Sequence, residues 1–312
     1  MANSIIRNLL IPLDGSTLAE SVLPYAAQIA KKLNVSVTLL HIIETDAPEK
    51  IHGQKHLTKP AQAEKYLNSI STLEIFKNTG VEFHVHEMSV RDVAKSISEH
   101  SRELKQDLVI LCTHGSSGIH QLLFGSIAQQ VISLGITPVL LINPMQVYPA
   151  EECKFETFLI PLDGNPDHEH ALNYAVSLAK MCKAKIHLFA AIPRFGNMSG
   201  EFTASNRLLP GTTSRMMDMI VSDTEEYFVK LKEKLEQTGI VVTASYSRSD
   251  PADAITEAAI ENKADLIILA THGKKGAEAF WEGSVTPKIS KSSRIPLLLV
   301  PVRWSEDLGM TI

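Results

Sequence analysis

Short apolar runs alternate with amphipathic stretches along this chain, and the whole pattern occurs twice. In the first half, the apolar runs predict strands at Leu9–Ile11, Val35–Ile43, Val81–His86, Leu108–Cys112 and Val139–Ile142. The stretches between them carry apolar residues at helical spacing and predict helices from Thr17 to Leu33 and at Pro60–Asn78, Val90–His100 and Ser126–Leu134. Thr17, followed three residues later by Glu20, resembles a capping box at the start of the first helix.

The second half repeats this order. Its predicted strands are Phe158–Ile160, Ile186–Ile192, Ile240–Tyr246, Leu266–Ala270 and Leu297–Val300. Its predicted helices begin at Pro166 after Asn165, at Asp218, at Pro251 after Asp250, and at the pair Gly283-Ser284. Strands that alternate with helices indicate parallel βαβ units. Because the apolar runs are continuous, we expect strands buried on both faces and predict an α/β fold with one doubly wound sheet per half.

The sequence itself is duplicated. Asp107–Gly115, with the sequence DLVILCTHG, returns as DLIILATHG at Asp265–Gly273, and each copy reaches Gly-Ser after nine further residues. Equivalent prolines, Pro12 and Pro161, are 149 residues apart, whereas the two Thr-His-Gly glycines are 158 apart. The second half therefore carries an insertion, which we place around Arg194–Ser214. We predict domains at 1–146 and 155–312, joined by a linker at 147–154 within a stretch rich in proline and acidic residues.

Composition narrows the function classes. The chain has 312 residues, 44% of them hydrophobic and 21% charged, with a net charge of −5. It has no dense stripe of Lys and Arg, which argues against nucleic acid as a partner, and no apolar run of the roughly 20 residues that span a bilayer. Three unpaired cysteines, Cys112, Cys153 and Cys182, and the lack of an apparent signal peptide favour the reducing cytoplasm.

The repeated loops are candidate anion sites. Gly115 follows a strand and could let backbone N–H groups approach a ligand, and Gly125-Ser126 opens a helix whose N-terminus favours anions. A βα loop with a glycine turn and a serine cap explains the same residues about equally well. Asp14 and Asp163 end the first strand of each half and could accept from an adenine amino group or a ribose hydroxyl, although Asp-Gly is also a turn signal by itself.

The histidines give no metal or catalytic site from sequence alone. His84 and His86 would share one face of a strand, and His168 and His170 lie near a helix start. Neither pair has a third ligand at a recognisable spacing, so we predict no metal site. The loop histidines His114 and His272 have no neighbouring nucleophile and orienting acid, so we predict no catalytic residue.

The combination of Ile11–Gly15 (IPLDG), Leu39–Glu44 (LLHIIE) and a Thr-His-Gly loop followed by Gly-Ser resembles the universal stress protein family, twice over. This resemblance implies two flavodoxin-like (Rossmann-like) domains, each with a five-stranded parallel sheet of order 3-2-1-4-5. It also implies that the domains form an intrachain pseudo-dimer through their last strands, so that Val139–Ile142 should meet Leu297–Val300. Further homodimerisation is left open.

The resemblance also implies which residues hold a ligand, because the family's nucleotide-binding branch holds ATP with a Gly-2x-Gly-9x-Gly-Ser/Thr loop. The matching positions in the first half are Pro12, Asp14, Ile42, Gly115, Gly125, Ser126 and Ile127. In the second half they are Pro161, Asp163, Ala191, Gly273, Gly283, Ser284 and Val285. The first loop glycine is replaced by Cys112 and Ala270, which would be costly if the loop needed a positive φ there.

We therefore expect a cytoplasmic stress-response protein that binds adenine nucleotide, ATP or AMP with or without Mg²⁺, as a sensor or regulator. The replaced glycines favour an alternative, a nucleotide-free scaffold or a protein that binds another small ligand. A slow ATPase is the third hypothesis. No dedicated general base and no pair of Mg²⁺ carboxylates stands near the loops in the sequence, and the protein partner is left open.

Overall fold

The structure is a computed structural model, and it describes residues 5–51, 53–113, 126–144, 154–192, 210–271 and 285–302. The Thr-His-Gly loops, with His114 and His272, lie outside these ranges. So do Cys153 and all of the linker stretch from 145 to 152. Among the described helices, none is long and apolar enough to cross a membrane.

The first half contains seven strands and five helices among its described residues. The strands are β1 (Asn8–Pro12), β2 (Ser36–Glu44), β3 (Lys50–Ile51), β4 (Gln54–Lys55), β5 (Val81–Val90), β6 (Leu108–Cys112) and β7 (Val139–Ile142). The helices are α1 (Thr17–Glu20), α2 (Leu23–Leu33), α3 (Pro60–Ser71), α4 (Val93–Glu103) and α5 (Ser126–Leu134), with a 3₁₀ turn at Glu74–Phe76.

The described residues of the second half follow the same order without the small β3–β4 hairpin. The strands are β8 (Thr157–Pro161), β9 (Lys185–Ile192), β10 (Val242–Arg248), β11 (Leu266–Thr271) and β12 (Leu297–Pro301). The helices are α6 (Pro166–Cys182), α7 (Pro210–Glu236), α8 (Pro251–Glu261) and α9 (Val285–Ser292).

Ten strands form one continuous sheet in the order β10-β9-β8-β11-β12-β7-β6-β1-β2-β5. All neighbours within a half are parallel, and each half has the predicted order 3-2-1-4-5. The last strands β7 and β12 pair antiparallel, with Leu140 opposite Leu298. This pairing confirms the predicted meeting of Val139–Ile142 with Leu297–Val300, and it places a pseudo-twofold axis between the two halves.

Helices cover both faces of the sheet, as expected for strands that are apolar on both sides. On one face, α2, α3, α6 and α7 bury their apolar residues, and α2 contacts α6 across the pseudo-twofold axis. On the other face, α4, α5, α8 and α9 pack on residues such as Leu10, Leu40, Leu159 and Phe189.

The first predicted helix is broken in two. The structure ends α1 at Glu20 and begins α2 at Leu23, because Pro24 has no N–H to donate to the previous turn. The predicted capping box is also wrong. The N-cap is Ser16, whose side chain accepts from the N–H of Ala19, and Thr17 is the first helical residue.

Three other helices have boundaries that differ from those predicted. Helix α3 ends at Ser71 and gives way to the 3₁₀ turn, so Pro60–Asn78 is not one helix. Helix α4 begins after the N-cap Asp92, since Val90 belongs to β5. Helix α7 begins at Pro210 rather than Asp218, so part of the insertion of the second half extends this helix.

Candidate functional site

In each half the strand order reverses beside the first strand. Strand β1 pairs with β2 on one side and β6 on the other, and β8 pairs in the same way with β9 and β11. The chain therefore continues to opposite sides of the central strand. A crevice opens at the carboxyl ends of the strands at this point. Pro12 and Pro161 end the central strands, and Asp14 and Asp163 follow them at the mouth of each crevice.

The end of β1 is fixed by a tight turn. The Oδ1 atom of Asp14 accepts from the N–H of Ser16 at 2.8 Å, and Gly15 between them has φ +88°. The Asp-Gly pair therefore performs the turn chemistry that its sequence suggested. Among the described residues, nothing donates to the second oxygen, Oδ2, of the half-buried Asp14. This oxygen is available to accept from a ligand.

The second half repeats the turn at the end of β8. Asp163 Oδ1 accepts from the N–H of Asn165 at 3.0 Å, and Gly164 has φ +78°. The side walls differ, because Ile42 on β2 is buried whereas its counterpart Ala191 on β9 is small and half-buried. Ala191 therefore fills less of this wall than Ile42 does.

The two replaced loop glycines have ordinary strand geometry. Cys112 is the last residue of β6 and pairs with Ile142, and Ala270 lies inside β11 and pairs with Val300. Neither has a positive φ. A side chain at these positions therefore costs no backbone strain, and the expected penalty for replacing glycine does not arise here.

The Cys112 thiol is held neutral. Burial is the main cause that raises its pKa, to about 12, and the nearby negative charge of Asp14 raises it further. A thiol that stays protonated at neutral pH is a poor nucleophile and a poor metal ligand. Cys112 is therefore a small apolar wall of the first crevice, beside Asp14.

Each crevice also has a tyrosine that bonds to a glutamate. Tyr66 on α3 donates to Glu20 at 2.9 Å, and Tyr227 on α7 donates to Glu169 at 2.7 Å. Burial, then the bonded glutamate, raises the pKa of both phenols, with further contributions from the charges of Asp14 on Tyr66 and of Asp163 on Tyr227. Sequence reasoning missed this repeated pair.

A signal for the pair was present in the sequence. Glu20 and Glu169 stand 149 residues apart, the same offset as Pro12 and Pro161. The tyrosines are 161 residues apart, because the insertion falls between the two members of the second pair. An alignment of the two halves that allowed for the insertion would have matched them.

The β3–β4 hairpin lies against the turn of the first half. The side-chain Oε1 of Gln54 accepts from the N–H of Thr17 at 2.7 Å, at the start of α1. A Cβ atom added to Gly15 would lie 2.9 Å from side-chain carbons of Leu57, so the segment that follows the hairpin packs directly on the turn. The sequence analysis left residues 46–58 without an assigned structure.

Buried His41 links this segment to the end of β1. Its Nδ1 atom lies 2.7 Å from the carbonyl oxygen of Leu13, and its Nε2 atom lies 2.9 Å from that of Leu57. Both partners are acceptors. A neutral imidazole has one N–H and donates to one carbonyl, whereas the imidazolium donates to both. The counterpart of His41 in the second half is Ala190, which makes no such link.

The phosphate side of the candidate site is only partly described. Ser126 is the first residue of α5 and is exposed, and Ile127 and its counterpart Val285 are half-buried in the apolar cluster of their face. The other predicted loop residues, Gly115, Gly125, Gly273, Gly283 and Ser284, lie outside the described ranges. Their contact with phosphates stays a prediction.

A cavity of about 680 Å³ opens at the amino ends of the strands. It is lined by residues at the end of α2 and before β2 and β5, among them Lys31, Lys77 and Gly80. This cavity faces away from the carboxyl ends of the strands and has no part in the crevice of Asp14. In a doubly wound sheet the crevice is the place where ligands bind.

Comparisons with known proteins agree with this architecture. A family model described as the universal stress protein family matches residues 6–143 and 154–301. Universal stress protein MJ0531 of Methanocaldococcus jannaschii is 26% identical over 148 residues, which cover 47% of this chain and 82% of that protein. A universal stress protein of Mycolicibacterium smegmatis is 21% identical over 309 residues, covering 95% of this chain and 97% of its own.

A solved structure extends the similarity to the whole fold. The crystal structure of a universal stress protein from Archaeoglobus fulgidus DSM 4304 superposes with a TM-score of 0.64 at 18% identity. The match covers 94% of this chain and 96% of the other. The tandem arrangement of two domains is therefore shared with a protein that differs at most positions.

Proposed function

The chain belongs to the universal stress protein family, with two tandem repeats that match the family model, and we propose that it binds adenine nucleotide. The observation that carries this proposal is the same constellation at both strand-order reversals. Each has a proline that ends the central strand, an aspartate whose Oδ1 fixes the turn, and a tyrosine–glutamate pair beside it.

Asp14 would hold the nucleoside. Its Oδ1 atom is committed to the turn, which restricts the rotation of the carboxylate and leaves Oδ2 as the free acceptor. A carboxylate oxygen held in this way accepts from a ribose hydroxyl or an adenine amino group without reorganisation. Such a charge-assisted hydrogen bond contributes roughly 1.5–3 kcal/mol. Ile42 and Pro12 would supply the apolar wall for the base.

The phosphates would lie toward the N-terminus of α5. The alternative helix, α1, has four residues, and its first N–H groups already donate to Gln54 and Ser16. Helix α5 begins at Ser126 and presents its N-terminal dipole toward the loop from Gly115 to Gly125. In the second half the corresponding helix is α9, with Val285 at its first described position.

We propose a sensor or regulator rather than an efficient enzyme. Among the described residues at the first crevice, the Cys112 thiol and the Tyr66 phenol both have raised pKa values and stay protonated at neutral pH. Neither is then a general base for activating water. Slow hydrolysis of bound ATP, assisted by Mg²⁺, would be compatible with this arrangement.

One observation favours a second candidate function, a scaffold with an empty first crevice. Leu57 and Gln54 contact the turn at Gly15 and Thr17, close to where a ligand would approach the first site. If that segment excludes nucleotide, only the second half would bind, or neither would. Counting the bound nucleotide separates these cases.

The test begins with protein purified without added nucleotide. After denaturation, the released small molecules are identified by mass spectrometry and quantified per chain, and ATP and AMP are titrated calorimetrically into the emptied protein. We expect one or two equivalents of adenine nucleotide. Retention of no nucleotide and no heat on adding ATP with Mg²⁺ would reject the proposal and leave the scaffold function.

Matched variants assign the sites. Asp14→Ala and Asp163→Ala should each weaken one site by about 10-fold or more, because each loses a charge-assisted hydrogen bond. Each variant should leave the other site unchanged. Equal affinities in both variants and the unsubstituted protein would place the nucleotide elsewhere.

The proposal includes a cytoplasmic location. The two cysteines described in the structure, Cys112 and Cys182, are free thiols, as expected in a reducing compartment. Cell fractionation with an antibody to the chain tests the location. Recovery of the protein outside the cytoplasmic fraction would contradict it.

A further inference from the structure

Three histidines gather at one edge of the sheet in the first half. His84 and His86 lie two residues apart on the edge strand β5, so their side chains point to the same face. They pair in register with Leu40 and Ile42 of β2. The side chains of Leu40 and Ile42 pack in the same cluster as the apolar residues of α4, so the two histidines also face α4.

Helix α4 supplies the third histidine. His100 is buried, and its ring centroid lies 5.1 Å from that of His84 and 4.9 Å from that of His86. Its Nδ1 atom lies 2.8 Å from the carbonyl oxygen of Ser96, which can only accept. The proton of a neutral His100 is therefore on Nδ1, and the lone pair of Nε2 is left available.

One nitrogen from each of the three rings lies within 4.8 Å of the other two. Ligand nitrogens around a tetrahedral Zn²⁺ with bonds of about 2.0–2.1 Å are about 3.4 Å apart. The half-buried His84 and His86 side chains would turn toward His100 to close this difference.

Burial favours the neutral form of His84. It is the main cause that lowers the pKa of His84, and the neighbouring His100 and His86 lower it further. Two carboxylates, Glu103 and Glu87, act in the opposite direction. The lowered pKa favours the form of His84 whose lone pair can bind a cation.

We propose that His84, His86 and His100 form a Zn²⁺ site with its fourth position open to water. Imidazole nitrogen is a preferred ligand of Zn²⁺, whereas Mg²⁺ and Ca²⁺ take oxygen ligands. The bond from Nδ1 of His100 to Ser96 orients the buried ring from the side away from the ion. The edge position of β5 gives the ion access from solvent.

The second half has no such cluster at the equivalent positions. Leu40 and Phe189 are equivalent residues, because their carbonyls accept equivalent hydrogen bonds. Phe189 pairs with Ser245 of β10, as Leu40 pairs with His84 of β5. The counterparts of His84 and His86 are consequently Ser245 and Ser247. Counting from the N-caps Asp92 and Asp250, the counterpart of His100 is Ala258. The second half therefore serves as an internal control for the zinc site. Zinc binding at the cluster requires neither crevice, so it does not depend on nucleotide binding.

The test uses the full chain, freed of metal with a chelator and titrated with ZnCl₂ against a chromophoric zinc indicator. We expect one tight site per chain. Loss of one of three ligands should weaken it about 100-fold or more in His86→Ala and in His100→Gln, because removing even an orienting partner costs 10–100-fold. His187→Gln changes a strand histidine of the second half and should leave the affinity unchanged.

Circular dichroism and thermal unfolding establish that each variant is folded. Equal zinc affinity in the folded variants and the unsubstituted protein would overturn the proposal, and so would the absence of saturable binding. If the variants do not fold, modification of the unsubstituted chain by diethylpyrocarbonate decides. Zn²⁺ should slow the modification of His84 and His86 and spare the rates at histidines outside the cluster. Unchanged rates at both residues would reject the site.

Discussion

The two halves share one fold but differ in what surrounds the end of the central strand. Both keep the Asp-Gly turn and the tyrosine–glutamate pair. Among the described residues, only the first half ties this turn to a following segment, through His41, whose counterpart is Ala190. Duplication has therefore kept the groups that shape the strand end, and the segment after the second strand has diverged.

In both halves an aspartate also accepts hydrogen bonds from backbone N–H groups at the amino ends of the strands. Asp107 accepts from the N–H groups of Arg7 and Asn8, and Asp265 accepts from those of Glu156 and Thr157. Each of these donors precedes or begins a central strand. A backbone N–H needs a hydrogen-bond acceptor, and the acidic residue before the fourth strand supplies one in both copies.

The largest expected difference between the halves is at the turn glycines. Gly15→Ala should reduce the free energy of unfolding by about 2–4 kcal/mol, because a Cβ there has both a positive φ and an overlap with Leu57 at 2.9 Å. Gly164→Ala has the same strain in φ but open space, and should cost about 1–2 kcal/mol.

Urea unfolding of both glycine variants measures the difference. If the two losses are equal, Leu57 does not press on the turn, and the hairpin segment is not a fixed part of the first site. If the loss at Gly164 is larger, the second half has contacts at its turn that the described residues do not include.

The pH dependence of stability sharpens the comparison for the second half. Burial raises the pKa of Asp265 to about 6, against the bonds from two backbone N–H groups, which lower it. Since the folded pKa lies above the unfolded value of about 3.9, this group contributes most stability below pH 4 and loses it as pH rises toward 6. The loss is about 1–3 kcal/mol.

Asp265→Asn removes this titration and keeps one oxygen, which can accept from the N–H of Glu156, the donor of the shorter bond at 2.8 Å. Denaturant unfolding at pH 4 and at pH 7 should show the variant gaining stability relative to the unsubstituted protein as pH rises. A constant difference between the two proteins over this range would contradict the raised pKa.

The smallest expected effect is equal in both halves. Tyr66→Phe and Tyr227→Phe each remove one phenol that donates to a glutamate, at 2.9 and 2.7 Å. Each should cost about 1–2 kcal/mol, because the bond is charge-assisted but half-exposed. Thermal unfolding of the two variants checks this. Losses that differ by more than about 1 kcal/mol would show that the two pairs are not equivalent.

The sequence determined the ten strands of the sheet and their order. Periodicity of apolar residues identified every strand of the ten-stranded sheet, and continuous apolar runs indicated burial on both faces. The duplication with the family resemblance gave the order 3-2-1-4-5 and the pairing of the last strands. These features follow from local patterns and from the few topologies that parallel sheets adopt, so a single sequence is enough to predict them.

Only the tertiary structure decided which distant side chains meet. It brought Leu57 onto Gly15, joined His41 to two carbonyls, and set His100 beside His84 and His86. The sequence alone predicts no metal site at the pair His84 and His86, because it shows no third ligand at a recognisable spacing. The spacing of 14 residues from His86 to His100 crosses a turn and most of a helix. Such a contact depends on how α4 packs on the sheet, and no periodicity along the chain records it.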